Sequence, residues 1–247
     1  VIMTRKQYFS SGLKDGMPIC FGYFAVSFAF GIQAAGIGLS VFEASVLSAL
    51  NVTSAGQFAA LAIIASGASL IELAFTQLII NLRYFLMSCA LSQKLSPSLP
   101  LGHRLGIAYG MTDEIFAVSV SQREPLSPFY SYGLIAVAIP GWVLGTALGA
   151  AAGNILPTVL TNALGIAIYG MFIAIILPPA KENRVVAGVV VLSMVLSALF
   201  TYLPVLCNIS SGFRIIVITL ITAGGAALLF PIPDEPAEPE KEMPHEG

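Results

Sequence analysis

Long apolar runs separated by short polar links fill the chain up to residue 230. They fall near 17–38, 43–65, 69–92, 105–121, 130–153, 157–178, 185–203 and 212–230. Several reach the roughly 20 residues that a helix needs to cross a bilayer. The runs are continuous rather than alternating, which argues against a transmembrane barrel. The pattern predicts an all-α membrane protein, a polytopic helical bundle with six to eight transmembrane segments. The last four runs hold almost no charge. The first four are interrupted by Pro18 and Gly22, by the stretch Asn51 to Gln57, by polar residues between Glu72 and Arg83, and by Gly110 to Glu114. One or two of these four runs are expected to be re-entrant or broken helices. Pro18 with Gly22 in the first run echoes Pro140 with Gly141 in the fifth, the sign of an internal repeat such as many transporters carry. Chance likeness between Gly-rich spans accounts for the echo about as well.

Composition sharpens the class. The 247 residues are 57% hydrophobic and only 10% charged, with a mean hydropathy of +0.88. A soluble domain carries about 25% charged residues. The net charge of −2 hides an asymmetry, because six of the thirteen acids lie after Pro231. Two regions follow: a transmembrane domain over 1–230, and an acidic Pro/Glu-rich tail over 231–247 that cannot bury enough apolar surface to fold. Cys20, Cys89 and Cys207 sit singly in apolar runs and are expected to pack rather than bind metal. The N-terminal stretch is polar and basic, and reads as lacking a cleavable signal peptide.

Lys and Arg set the orientation. Arg5, Lys6 and Lys14 precede the first run and place the N-terminus in the cytoplasm. If all eight runs cross, Arg123, Lys181 and Arg184 fall inside as well, and so does the C-terminus. One link then conflicts, because Lys94 and Arg104 come to lie outside. Removing one early run from the count repairs that link but sends Lys181 and Arg184 outside. The eight-crossing arrangement is the one carried forward.

The third run poses the chemical question. Glu72, Thr76 and Arg83 share one helical face, since eleven residues advance about three turns and 20°. Gln77 and Asn81 form a second stripe. Each ion at mid-membrane costs on the order of 2.5–3.5 kcal/mol, so neighbouring helices or a wet cavity must receive these groups. Asp113 and Glu114 are the natural counter-charges for Arg83. Adjacent residues point about 100° apart on a helix, so one is expected to pair with Arg83 and the other to face a pathway. A carboxyl taken out of water favours its neutral form, and one that alternates between a cation and a proton couples proton flow to transport. The competing reading is a structural ion pair that locks helices together. Asn51, Thr53, Ser54, Gly56 and Gln57 suggest an unwound turn whose helix N-terminus attracts a carboxylate, or else a small face packed on a neighbour. Gly141, Gly145, Gly149 and Gly153 form a tandem GxxxG seam for another helix, from this chain or from a partner. Trp142 reads as an interfacial anchor. No phosphate-binding loop, HExxH or GxSxG is present, so neither enzyme chemistry nor a metal or other cofactor is expected, and no nucleic-acid partner is expected either.

Taken together, Gly16-Met17-Pro18 with Gly22, Ser54-Ala55-Gly56-Gln57-Phe58, Asn81-Leu82-Arg83-Tyr84 and Thr112-Asp113-Glu114 resemble the AzlC family of branched-chain amino-acid permeases, over about residues 10–230. The resemblance implies a multi-pass protein of the bacterial inner membrane that exports leucine, isoleucine, valine and often methionine. It also implies a small hydrophobic membrane subunit of the AzlD type, which could take the glycine seam. Histidine is frequent in that family where Tyr84 stands here, so a titrating imidazole is not available at this position. The expected pathway residues are Gln57, Phe58, Asn81, Arg83, Asp113 and Glu114, with Asn51 and Ser54 at the unwound turn. Gln57 and Asn81 would hold a zwitterion, and Phe58 and its neighbours would receive the apolar side chain. A channel-like or scaffolding subunit, whose polar groups serve assembly, is the alternative.

Overall fold

The structure, a computed structural model, describes residues 3–122, 125–153, 155, 159, 173, 176–203, 206 and 208–231. The acidic tail, Cys207, Arg123 and most of the run 157–178 lie outside the described residues. The helices described end to end are α1 Arg5–Gly36, α2 Val41–Leu50, α3 Ser54–Ala65, α4 Leu70–Lys94, α5 Leu101–Tyr109, α6 Asp113–Val120, α7 Pro128–Gly153, α8 Arg184–Tyr202 and α9 Ser211–Leu229, and residues 176–182 are also helical. No strand occurs among these residues. Five of the helices, α1, α4, α7, α8 and α9, are long and apolar enough to cross a bilayer.

Local chemistry sets the boundaries. Thr4 with Gln7 and Ser40 with Glu43 form capping boxes at the starts of α1 and α2. Ser69 caps α4, and Asn183 caps α8. The two interrupted runs each become a pair of short helices. α2 stops at Asn51, and α3 restarts after Thr53, whose Oγ1 accepts the Gly56 N–H at 3.4 Å. α5 stops at Gly110, and α6 restarts after Thr112, whose Oγ1 accepts the Ile115 N–H at 3.3 Å.

α1 and α7 form the central pair. Gly12 meets Tyr130 and Gly133, Gly141 meets Cys20, Gly145 meets Phe24 and Ser27, Gly149 meets Phe28, and Gly153 meets Ile32 and Ala35. Both sides of each contact advance together, so the two helices run parallel. The tandem glycine seam is therefore consumed within the chain. A Cβ at Gly12, Gly133 or Gly149 would overlap the facing backbone, which is why only small residues fit. Lipid tails are as apolar as these side chains, so close packing rather than burial from water drives this association.

The parallel pair fixes the direction of everything else. Ala44 packs with Ala150, and the Ser48 and Thr146 hydroxyls lie 2.6 Å apart, so α2 descends along α7 from its C-terminal end. α3 climbs back: Gly56 is level with Gln77 and Asn81, and Leu61 rejoins the cluster of Phe30, Ala34, Ala44 and Ala150. α2–α3 is thus a re-entrant hairpin. α4 runs the other way from α1. Its Lys94 Nζ donates to the carbonyls of Val120 and Gln122, and Gln122 donates to Tyr130, whose hydroxyl donates to Asp15 at 2.7 Å. That cluster stands at the N-terminal end of α1. α5 rises from the same end, with Gly106 against Tyr132 and Gly110 against Ile135, and α6 falls back to Gln122. The second hairpin therefore enters from the opposite side. The two tips touch where the Tyr109 hydroxyl donates to the Ala49 carbonyl at 2.6 Å.

This corrects the eight-crossing expectation. Runs 43–65 and 105–121 do not cross. They enter and return, because Asn51–Thr53 and Gly110–Thr112 reverse the chain halfway. Lys94 and Arg104 then join Arg5, Lys6 and Lys14 on one side, and the conflict in the charge rule disappears. The back half agrees. The Gly212 N–H donates to Glu72 Oε1 at 2.8 Å, at the outer end of α4. α8 runs antiparallel to α9, with Thr201 and Tyr202 beside Ile215, and Arg184 beside Leu229 and Phe230. Arg184 and neighbouring Lys181 therefore lie at the same end of the bundle as Arg5, Lys6 and Lys14. The repeat is also not the one expected. Instead, a long helix followed by a hairpin occurs twice in opposite directions, as α1 with α2–α3 and as α4 with α5–α6, an inverted repeat.

Two measurements check this fold. Gly149→Leu forces side-chain atoms into the Phe28 backbone and is expected to cost at least about 1–3 kcal/mol, read as loss of folded protein in a thermal aggregation assay. Gly22→Ala, where nothing lies within 4 Å, is expected to be neutral. In a background lacking native cysteines, Ser98→Cys is expected to label only from the cytoplasmic side and Ala65→Cys only from outside. Eight full crossings require the reverse for both.

Candidate functional site

A cavity of about 210 Å³ lies between the two hairpin tips. Its depth follows from Tyr23, Arg83 and Trp142, each near the middle of its long helix. α1 supplies Tyr23 and Val26. The first hairpin supplies Val52, Ser54 and Ala55, and the second supplies Thr112, Asp113 and Glu114. α4 supplies Arg83 and Tyr84, α7 supplies Trp142, and Ile176 completes the wall. The volume is below the 300–1,000 Å³ usual for drug-sized ligands and suits a smaller molecule.

Both signs of charge meet here. Arg83 Nη1 lies 2.7 Å from Asp113 Oδ2. The guanidinium also sits 5.0 Å over the Tyr84 ring and donates to the Tyr84 hydroxyl at 3.3 Å. The two side chains are 41% and 44% exposed, and both residues line the cavity. Glu114 takes no part in that pair. Its Oε2 lies 2.6 Å from the Tyr23 hydroxyl, which is 2.5 Å from Thr112 Oγ1. The starts of α3 and α6 both open on this space. A helix start leaves N–H groups without intrahelical acceptors and carries a partial positive charge, and Ser54 and Ala55, the first residues of α3, line the cavity.

The residues singled out in the sequence separate into two layers. Ser54, Arg83, Asp113 and Glu114 line the cavity. Gln57, Phe58, Asn51 and Asn81 stand behind it and build the first hairpin. Gln57 is fully buried, and its amide donates to the carbonyls of Leu47 and Asn51, closing the end of α2. Asn51 and Asn81 both donate to Gln77 Oε1, at 3.5 and 3.1 Å, and Gln77 donates to the Gly56 carbonyl at 2.7 Å. Phe58 packs edge-on against Phe30 at 5.5 Å. Glu72 and Thr76 face α9, where any side chain at Gly212 would strike them.

Tyr23 and Trp142 are cavity residues that sequence reasoning missed. Trp142 is no interfacial anchor. It is buried and stacks edge-on against Tyr23 at 5.4 Å. Its place halfway along a span, rather than at an end, was the available signal. Tyr23 offered none beyond being a polar aromatic inside an apolar run. The lipid-facing surface is plain by contrast: Phe75, Leu78, Leu82, Phe85 and Leu86 form the exposed stripe of α4.

Comparison with known proteins agrees with this picture. The family described as AzlC protein matches residues 18–156, the region holding both hairpins and the cavity-lining parts of α1, α4 and α7. The chain is 35% identical over 189 residues to a protein of Archaeoglobus fulgidus named an uncharacterized membrane protein, covering 76% of this chain and 83% of that one. It is 31% identical over 184 residues to the inner membrane protein YgaZ of Escherichia coli, covering 71% of this chain and 75% of that one. No solved structure matches the chain. The chain is a multi-pass membrane protein and belongs to the AzlC family.

Proposed function

We propose that this protein is a secondary transporter that exports branched-chain amino acids, namely leucine, isoleucine and valine, with methionine, across the bacterial inner membrane. The observation that carries the reading is the mid-membrane cavity with a cation, two carboxylates and an apolar wall in one small space. A zwitterion can replace the Arg83–Asp113 contact, its carboxylate taking the guanidinium and the N–H groups of Ser54 and Ala55, and its ammonium taking Asp113. The aliphatic side chain then lies against Val26, Val52, Trp142 and Ile176. A pocket of this kind discriminates one methylene by only about 1–3 kcal/mol, so the aliphatic amino acids compete with one another.

The transporter works with a small hydrophobic subunit of the AzlD type. Support for that subunit comes from the family rather than from the cavity. Because α1 fills the glycine seam, the subunit takes another face. The membrane supplies the driving force as a proton gradient, and the reaction is movement rather than bond cleavage.

The test is counterflow of labelled leucine in proteoliposomes holding this protein and the small subunit. Unlabelled isoleucine, valine and methionine are expected to compete, and lysine and glutamate are not. Arg83→Ala and Asp113→Asn each remove a charge-assisted contact of about 1.5–3 kcal/mol. Each is expected to lower apparent affinity about 10- to 150-fold at normal protein abundance. Loss of the complex before any change in counterflow would instead favour a scaffolding subunit. The chain has a single tryptophan, so the intrinsic emission at Trp142 is expected to shift when leucine binds and to stay unchanged with lysine.

A further inference from the structure

The two cavity carboxylates have different surroundings, and the difference assigns them different tasks. Asp113 is matched by Arg83 at 2.7 Å. Glu114 has no cation within ion-pair distance among the described residues; its near neighbour is the Tyr23 hydroxyl at 2.6 Å. Tyr23 in turn lies 2.5 Å from Thr112 Oγ1, which accepts the Ile115 N–H at 3.3 Å. One phenol proton cannot serve both neighbours, so the chain has two polarities. With Glu114 ionised, Thr112 donates to Tyr23, and Tyr23 donates to the carboxylate. With Glu114 protonated, the acid donates to Tyr23, and Tyr23 donates to Thr112. The Tyr23 hydroxyl keeps both a donor and an acceptor in either state.

We infer that Glu114 carries the coupling proton and that Tyr23 passes its protonation state to α1. The inference rests on the transport reading above. The proton comes from water on the outer side, forms an O–H bond on Glu114, and returns to cytoplasmic water when that bond breaks. No other bond changes. Tyr23 belongs to α1, which packs along the whole of α7, so reversal of the chain acts at the contact between the second hairpin and the central pair. The charged and titratable groups of the cavity wall are Tyr23 on α1, Arg83 and Tyr84 on α4, and Asp113 on α6; the first hairpin and α7 add none. Tyr23 is a positioning residue here, since it acts through Glu114.

The experiment compares two modes in the same proteoliposomes. Counterflow needs only binding and reorientation, whereas uphill leucine movement under an imposed pH gradient needs the proton step. Glu114→Gln is expected to lower gradient-driven accumulation at least about tenfold more than it lowers counterflow. Tyr23→Phe, which keeps the ring against Trp142, is expected to weaken accumulation more than counterflow. Glu114→Asp retains a titratable oxygen and is expected to retain coupling in part. Full gradient-driven accumulation by Glu114→Gln overturns the inference. So does loss of both modes at normal abundance, which would place Glu114 among the substrate contacts. Absence of wild-type counterflow would overturn the transport reading itself, and this inference with it.

Discussion

Two helices of this protein stop in the middle of the membrane, and the hydrocarbon core offers nothing to the backbone groups that such a break exposes. Each unsatisfied group there costs several kcal/mol. The rest of the architecture answers that constraint. At the first tip, the Gln57 amide takes the last carbonyls of α2, Thr53 takes an N–H of α3, and Gln77 ties the turn to α4. At the second, Thr112 takes the N–H of Ile115, and Tyr109 reaches across to Ala49. Residues of both breaks also line the cavity: Val52, Ser54 and Ala55 from the first, and Thr112, Asp113 and Glu114 from the second. The polar site is therefore a consequence of the breaks, and the breaks are tolerable because of the site.

The parallel α1–α7 pair supplies the rigid frame. Its glycines bring two backbones into contact along nearly their full length, so Tyr23 and Trp142 keep one fixed relation on the cavity wall. The hairpins and α4 then present Ser54, Arg83, Asp113 and Glu114 from the other sides. Because α1 with its hairpin and α4 with its hairpin run in opposite directions, each tip belongs to one side of the membrane. An arrangement of this kind allows a site at the midplane to be opened to one side at a time by moving one unit against the other.

Much of this was legible in the sequence, and the parts that were not have physical reasons. The stretches Asn51 to Gln57 and Gly110 to Glu114 are two of four places where small and polar residues interrupt apolar runs, and the sequence does not choose among the four. The pairing of Arg83 with one of two adjacent carboxylates followed from the cost of isolated charge in lipid. A crossing and a return look alike in hydropathy, however, since both half-helices of a hairpin are apolar. Only the side on which Lys94 and Arg104 fall distinguishes them, and that misfit was the one visible clue. Gln57 and Phe58 were expected to touch a substrate. A buried amide serves a broken helix end as readily as a ligand, and nothing in spacing separates the two uses. The glycine seam could not name its partner, because the matching surface of α1 is made of backbone as much as of side chains.

The central claim is that the tip residues face water inside the bundle while the neighbouring α4 stripe faces lipid. Reactivity of single cysteines toward a small hydrophilic thiol reagent tests this most directly. Ser54→Cys is expected to react and to be protected by leucine, whereas Phe75→Cys stays inert. A cysteine at position 54 as unreactive as one at 75, with or without leucine, would contradict it.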